Sequence, residues 1–375
     1  MKFDLFKTAS LLLAAVVLFS CGDVTPSNTD NKENEEKDDL TKDLVLVADK
    51  TIVHANGQDA VTFTVTLGSK VLTENVVFSD KEGEIITSIN DFKFTTTQVG
   101  EYYVRAEYMT KMSALVKIVA MPMAVPATPA DPDKSNVSFR RRIMLTYFTG
   151  TGCPNCPRVK DMLKALETTE YKQKYIPTVV HQFGSDDPAW FEGSLPSAMG
   201  VPGYPSVTLN LRPGSTKPNS KLTESSLKND IDAECADDAL VGIAANAVYK
   251  DGKVIVKAAV KAAEKTKCRI GAWLLEDGIE YPQSGGTQPY HNIHDQSLRI
   301  ADSKVSATDW SGYALGTIEA GKTVEHVFTM DMNPSWNAEK CHVVVFATTP
   351  VGNYYYVNNI VDVLLNDSVQ FEYIK

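Results

Sequence analysis

The sequence predicts a multidomain α+β chain in which a β-sandwich, an α/β domain and a second β-sandwich follow one another. Three observations carry this. Residues 61–67, VTFTVTL, alternate apolar and polar side chains without a break, the period of a strand with one face in a core. Residues 141–149, RRIMLTYFT, form an apolar run, and after it Val159, Met162, Leu163 and Leu166 recur at helical spacing before a second apolar run at 176–181. From about residue 240, strand-like runs return as VGIAANAVYK, KVIVKAAVKA, CRIGAWLLED, TVEHVFTMD, CHVVVFATT and YYYVNNIVDVLL.

The chain has 375 residues, enough for two or three separate cores. Its 43% hydrophobic and 22% charged content is that of globular protein. A formal net charge of −10 argues against a nucleic-acid partner, because phosphate binding needs clustered Lys and Arg. There is no phosphate-cradling glycine loop, no HExxH and no GxSxG elbow.

The N-terminus points to export. MKFDLFKTAS carries two early lysines, and the nine-residue apolar run LLLAAVVLF that follows is too short to span a bilayer. Leu18-Phe19-Ser20-Cys21 resembles a bacterial lipobox, which implies that residues 1–20 are removed and that Cys21 becomes the lipid anchor. Residues 21–43 read as an acidic tether. From Gly22 onward they hold eight acids against three lysines and no aromatic residue. Such a coil would reach roughly 25 Å.

Residues 44–120 read as the first sandwich. Asn56-Gly57 supplies a turn, and Gly100-Glu101-Tyr102-Tyr103-Val104 resembles the tyrosine corner of immunoglobulin-type sandwiches. ANGQDAVTFTV is similar to bacterial Ig-like modules, which implies a spacer. Residues 121–139 follow as a linker with prolines at 122, 126, 129 and 132, a composition that favours extended, stiff chain. The α/β unit is expected over 140–238 and the C-terminal sandwich over 239–375, with a loop-rich insertion at roughly 277–317.

Cys153-Pro154-Asn155-Cys156 follows the 141–149 run and opens the helix. Two cysteines at this spacing are within disulfide reach on one helical face. A zinc site would need about four ligands, and no second CxxC is present. A working dithiol and a permanent structural disulfide both remain open for an exported chain. His291, His294 and Asp295 carry ligand chemistry, but a turn offers such side chains for ordinary reasons, and no metal or other cofactor is assigned.

CPNC together with Val201-Pro202-Gly203-Tyr204-Pro205-Ser206 resembles thioredoxin, whose cis-proline segment faces the dithiol. The resemblance implies a thioredoxin-like α/β domain, attack by Cys153, resolution by Cys156 and substrate contacts from Tyr204 and Pro205. A helix N-terminus lowers a thiol pKa, which suits Cys153 to that role. Two positions depart from the family. Tyr147 stands where it has a buried aspartate, and Gly152 where it has a tryptophan. His181 ends a strand expected to run parallel to the one before Cys153, which makes it a candidate for stabilising a thiolate or moving a proton.

The lipobox cysteine, CPNCP, His181, GYPS and LLEDGIEYPQ leading to HNIHDQSLR resemble the outer-membrane-protein-twenty-eight lipoproteins over residues 140–375. The resemblance implies an outer-membrane lipoprotein of the cell envelope, facing the periplasm or the exterior. The functional expectation is thiol–disulfide exchange on protein or peptide substrates. The alternative is a surface-exposed binding or adhesion lipoprotein whose α/β unit is a non-catalytic scaffold.

Overall fold

The computed structural model describes residues 39–374. The expected signal peptide, the expected anchor residue Cys21 and most of the expected acidic tether lie outside the described residues.

Residues 44–121 form two facing sheets. One joins Leu44–Ala48, Val61–Leu67, Lys93–Phe94, Ile89–Asn90 and Lys70–Leu72. The other joins Ile52–His54, Val116–Met121, Gly100–Tyr108, Val77–Ser79 and Lys111–Met112. The alternating residues Val61, Phe63, Val65 and Leu67 point into the shared core and meet Val104, Ala106, Ile118 and Ala120. The corner bond forms as well, with Tyr102 OH donating to the Gln98 carbonyl at 2.9 Å.

The 121–139 segment does not hang free. Met121 and Met123 pack on Ile255. Lys261, 1% exposed, sends its ammonium to Asp131 at 2.9 Å, to the carbonyls of Asp133, Lys134 and Asn136, and to Tyr373 OH. A buried charge with this many acceptors ties the segment to the C-terminal half.

The expected multidomain α+β architecture, with a thioredoxin-like α/β domain of its own, is overturned. Among the described residues 44% lie in strands and 13% in helices, a β-dominated molecule. Strands Ile143–Thr149 and Tyr175–His181 do run parallel, with Thr149 opposite His181, and Ser206–Leu209 pairs antiparallel on the other side. Helices α1 (Pro157–Glu167) and α3 (Glu224–Glu234) cover one face of these strands through Val159, Leu163, Leu166, Leu227 and Ile231. Thr223 caps α3, its hydroxyl accepting from Ser226 N.

The opposite face, with Met144, Phe148, Ile176 and Val180, is just as apolar and has no helical layer of comparable length; only the four-residue α2 (Leu195–Ala198) lies there. It is covered by Trp273, Val344, Phe346 and Ile360 from the C-terminal strands. The sheet reaches those strands by continuing past strand 175–181, through Ser297–Asp302, to Thr266–Glu276, Cys341–Val351 and Tyr354–Leu364. It has nine strands and bends back on itself at the single parallel pairing of Val179 with Ser297. The outer face of the C-terminal strands, with Ile270, Ala272, Leu274, Val343 and Val345, packs on a four-stranded sheet that includes Val241–Lys250, Lys253–Ala262 and Thr323–Asp331. This is the second sandwich. The layers therefore run helices, sheet, the same sheet folded over, and second sheet.

Removing the Lys261 ammonium leaves Asp131 without its cation, though not without the Tyr373 hydroxyl, and takes a donor from three carbonyls. Lys261→Ala is expected to cost about 3 kcal/mol, read as a lower urea midpoint, and to expose the 121–139 segment to limited proteolysis.

Candidate functional site

Cys153 and Cys156 are joined in a disulfide, with Cα atoms 5.4 Å apart. Both are buried, 2% and 1% exposed. Cys156 is the N-cap of α1, with Pro157 in its first turn, so Cys153 sits one turn ahead of the helix rather than at its first residue. The turn is built by Cys153 N donating to Gly150 O at 3.0 Å and Cys156 N donating to Cys153 O at 3.2 Å.

The two departures from thioredoxin have local causes. Tyr147 lies under the turn and donates its hydroxyl to the Cys156 carbonyl at 2.8 Å. Burial pushes its phenol up, so it stays neutral. Gly152 has the 183–184 loop against it, and a Cβ there would come within 3.2 Å of Gly184 Cα. At Gly150 a Cβ would meet the Phe183 carbonyl oxygen at 2.1 Å. No large side chain fits beside this loop.

Beside Cys156 lies a cavity of about 130 Å³ whose wall includes Tyr147, Lys160, His181, Gln283, His294 and Asp295. His181 is 1% exposed, and its Nδ1 pairs with Asp187 Oδ2 at 2.9 Å. Asp187 also accepts from Thr151 N at 2.7 Å and from Ala189 N at 2.9 Å. Burial works against its charge, but the hydrogen bond from His181 and these amides outweigh it and hold the carboxyl below the usual range. With Nδ1 donating to Asp187, Nε2 of the neutral ring is the acceptor. His294 stands edge-on to His181, ring centres 5.0 Å apart, and its Nε2 donates to Tyr281 O. Burial, then the nearby His181, lower it to about 4. Burial also lowers the Lys160 ammonium to about 8.

The structure thus brings Cys153, Cys156 and His181 to one end of the sheet. Tyr204, in a cis peptide bond to Pro205, packs against the cluster that holds both cysteines and faces Phe183, ring centres 5.6 Å apart. His291 does not face His294 as a ligand pair. Its Nδ1 accepts from Thr287 N and Gln288 N, and its Nε2 donates to Asp161 Oδ1 at 2.7 Å. Among the described residues no cluster of three His, Cys, Asp or Glu could hold a metal.

Sequence reading does not single out Asp187, Lys160 or Gln283. Lys160, four residues after Cys156, had a readable signal in its helical spacing. Asp187 had none, since Asp186 beside it is exposed and chemically identical. The Gln283 amide lies within 3.1 Å of the carbonyls of Gly150, Thr151 and Cys153, a contact across 130 residues of chain.

Residues 192–369 match the family model described as outer membrane protein Omp28. Among solved structures the chain is similar to HBP35 of Porphyromonas gingivalis, at 19% identity and a TM-score of 0.50, over 61% of this chain and 77% of that one. It is also similar to a domain of the outer membrane lipoprotein Omp28 from Porphyromonas gingivalis, at 22% identity and a TM-score of 0.24, over 34% of this chain and 89% of that one. No curated protein matches.

His294 gives the site a pH signature. In the folded chain it takes a proton only near pH 4, whereas the unfolded ring does so near 6.5. Between these values the unfolded state binds more protons, so stability falls as pH drops through that window, by up to about 3 kcal/mol. His342 has the opposite sign. Burial opposes its charge, but Asp277 and Asp362 outweigh it and raise it to about 9, so its contribution is complete below 6.5 and lost as pH rises toward 9. His294→Gln is expected to remove the acid-side fall and leave the alkaline side unchanged, measured as urea midpoints at about pH 4.5, 6, 7.5 and 9.

Proposed function

Residues 192–369 being Omp28-related and the chain being an outer-membrane protein of the cell envelope, we propose that it is a lipid-anchored protein that exchanges thiols and disulfides with polypeptide substrates through Cys153 and Cys156. The observation that carries this reading is the position of the disulfide. Through Cys156 it forms part of the wall of a cavity that also holds an Asp-oriented histidine and a half-buried lysine.

From the dithiol, the Cys153 thiolate attacks one sulfur of a substrate disulfide, forming a mixed disulfide and releasing the other substrate sulfur as thiolate. The Cys156 thiolate then attacks Cys153 Sγ and expels the second substrate thiolate. The substrate disulfide gains two electrons, and Cys153 and Cys156 become the disulfide seen here. The reverse sequence oxidises a substrate dithiol. In either direction His181 Nε2 takes or returns the thiol proton, with Asp187 stabilising the imidazolium. Tyr204 and Pro205 position an extended substrate chain. Cys21 carries the lipid.

A second reading is favoured by one observation, the near-complete burial of both sulfurs. In it the disulfide is a staple, and the protein is a surface-exposed binding or adhesion lipoprotein.

Cys156→Ser separates the two. The exchange reading expects mixed disulfides trapped on Cys153 in the exported protein, visible without reductant and absent when Cys153 is also serine. If none form, and Cys153 of the reduced chain alkylates no faster than an ordinary free thiol at neutral pH, the staple reading stands. Cys21→Ser is expected to move the protein from the membrane to the soluble fraction.

A further inference from the structure

Between strands 266–276 and 297–302 the chain leaves the nine-stranded sheet and returns to it. Residues 278–296 form a strap with a small sheet of their own, Ile279–Glu280 paired with Ile293–His294. The strap runs over the cysteine turn. Its Gln283 amide reaches the carbonyls of Gly150, Thr151 and Cys153, and Ser284 N donates to Thr151 O at 2.8 Å. Gly285, with φ +71°, lies so close that a Cβ there would sit 2.3 Å from the Pro154 carbonyl oxygen. Farther along, Tyr290 OH and His291 Nε2 both donate to Asp161 of α1, and the Lys160 ammonium donates to the Ile293 carbonyl.

Apart from the close packing of Gly285 on Pro154 and the edge-on contact of His294 with His181, these contacts are hydrogen bonds and ion pairs, and no residue from 277 to 296 belongs to any of the apolar cores. Segments held by polar contacts without apolar burial open locally, well below the free energy of global unfolding. The bonds are also of a telling kind. Ser284 offers a backbone N–H to the Thr151 carbonyl, as a polypeptide laid beside the cysteine turn would.

We propose that the 278–296 strap is an internal occupant of the approach to the dithiol, an autoinhibitory cover that an extended polypeptide displaces before its sulfur reaches Cys153. This rests on the exchange reading for its purpose. The cover itself is a property of the fold that a small reductant can measure.

The test uses the exported chain and tris(2-carboxyethyl)phosphine. The phosphine attacks the disulfide and becomes its oxide with oxygen from water, and both cysteines leave as thiols. Gln283→Ala removes the amide, and Gly285→Ala wedges a methyl against Pro154. Both variants are expected to be reduced about tenfold faster than the unmodified chain or more, with the near-ultraviolet circular dichroism of the core retained.

In the unmodified chain, the reduction rate and the hydrogen exchange of Ser284 N–H should share one shallow urea dependence, while amides of strand 341–351 show a steep one. Rates within about twofold of the unmodified chain in both variants would overturn the proposal. So would a wild-type reduction rate that follows the steep dependence, and this holds even where a variant fails to fold. Fast reduction without any mixed disulfide on Cys156→Ser would leave the cover standing and remove the exchange reading; the converse result would do the opposite.

Discussion

A single sheet folds back over its own apolar face, and the layer it encloses organises the molecule. Met144, Phe148, Ile176 and Val180 from the strands beside the cysteines meet Trp273, Val344, Phe346 and Ile360 from the C-terminal strands. Each such side chain, fully buried, contributes about 1.5–3 kcal/mol, where an exposed ion pair contributes about 0–1 kcal/mol. Neither half closes a core alone. The cysteine-bearing strands have helices of three turns on only one face, and the C-terminal strands have two apolar faces of which the four-stranded sheet covers one.

The bend also decides where the site lies. Pairing Val179 with Ser297, with Val179 N donating to Gln296 O at 2.8 Å, brings the chain before Ser297 alongside strand 175–181. His294 thereby meets His181, and the segment leading to it crosses the cysteine turn. The packing that is strong sets the position of a cover that is weak, since the fold-over is apolar and the strap adds no residue to any of the apolar cores. A rigid scaffold with a polar, detachable covering is the combination a gated site requires.

Much of the local structure was legible. The alternating run at 61–67, the helical spacing from Val159 and the Thr223 cap all describe interactions among residues close in sequence, and the elements form there. The strands from 241 onward also fall close to where the apolar runs end. The architecture misled for a physical reason. Strand–helix–strand order fits a free-standing α/β domain, but whether a sheet stops or continues depends on whether a distant face matches its exposed side. The insertion at 277–317 read as loop, yet Ser297–Asp302 within it is the strand that joins the two halves.

The sequence by itself determined the elements and the chemical kit: two cysteines at disulfide spacing, a histidine at the end of the parallel strand, and a Tyr-Pro step before the next strand. Local period, capping and turn chemistry are set by near neighbours, and these can be read along the chain. Only the tertiary structure decided which aspartate orients His181, that the nine-stranded sheet folds on itself, and that residues 278–296 lie against the cysteine turn. Those outcomes rest on contacts between residues far apart in the chain and on the complementarity of whole faces, which no short stretch of sequence contains.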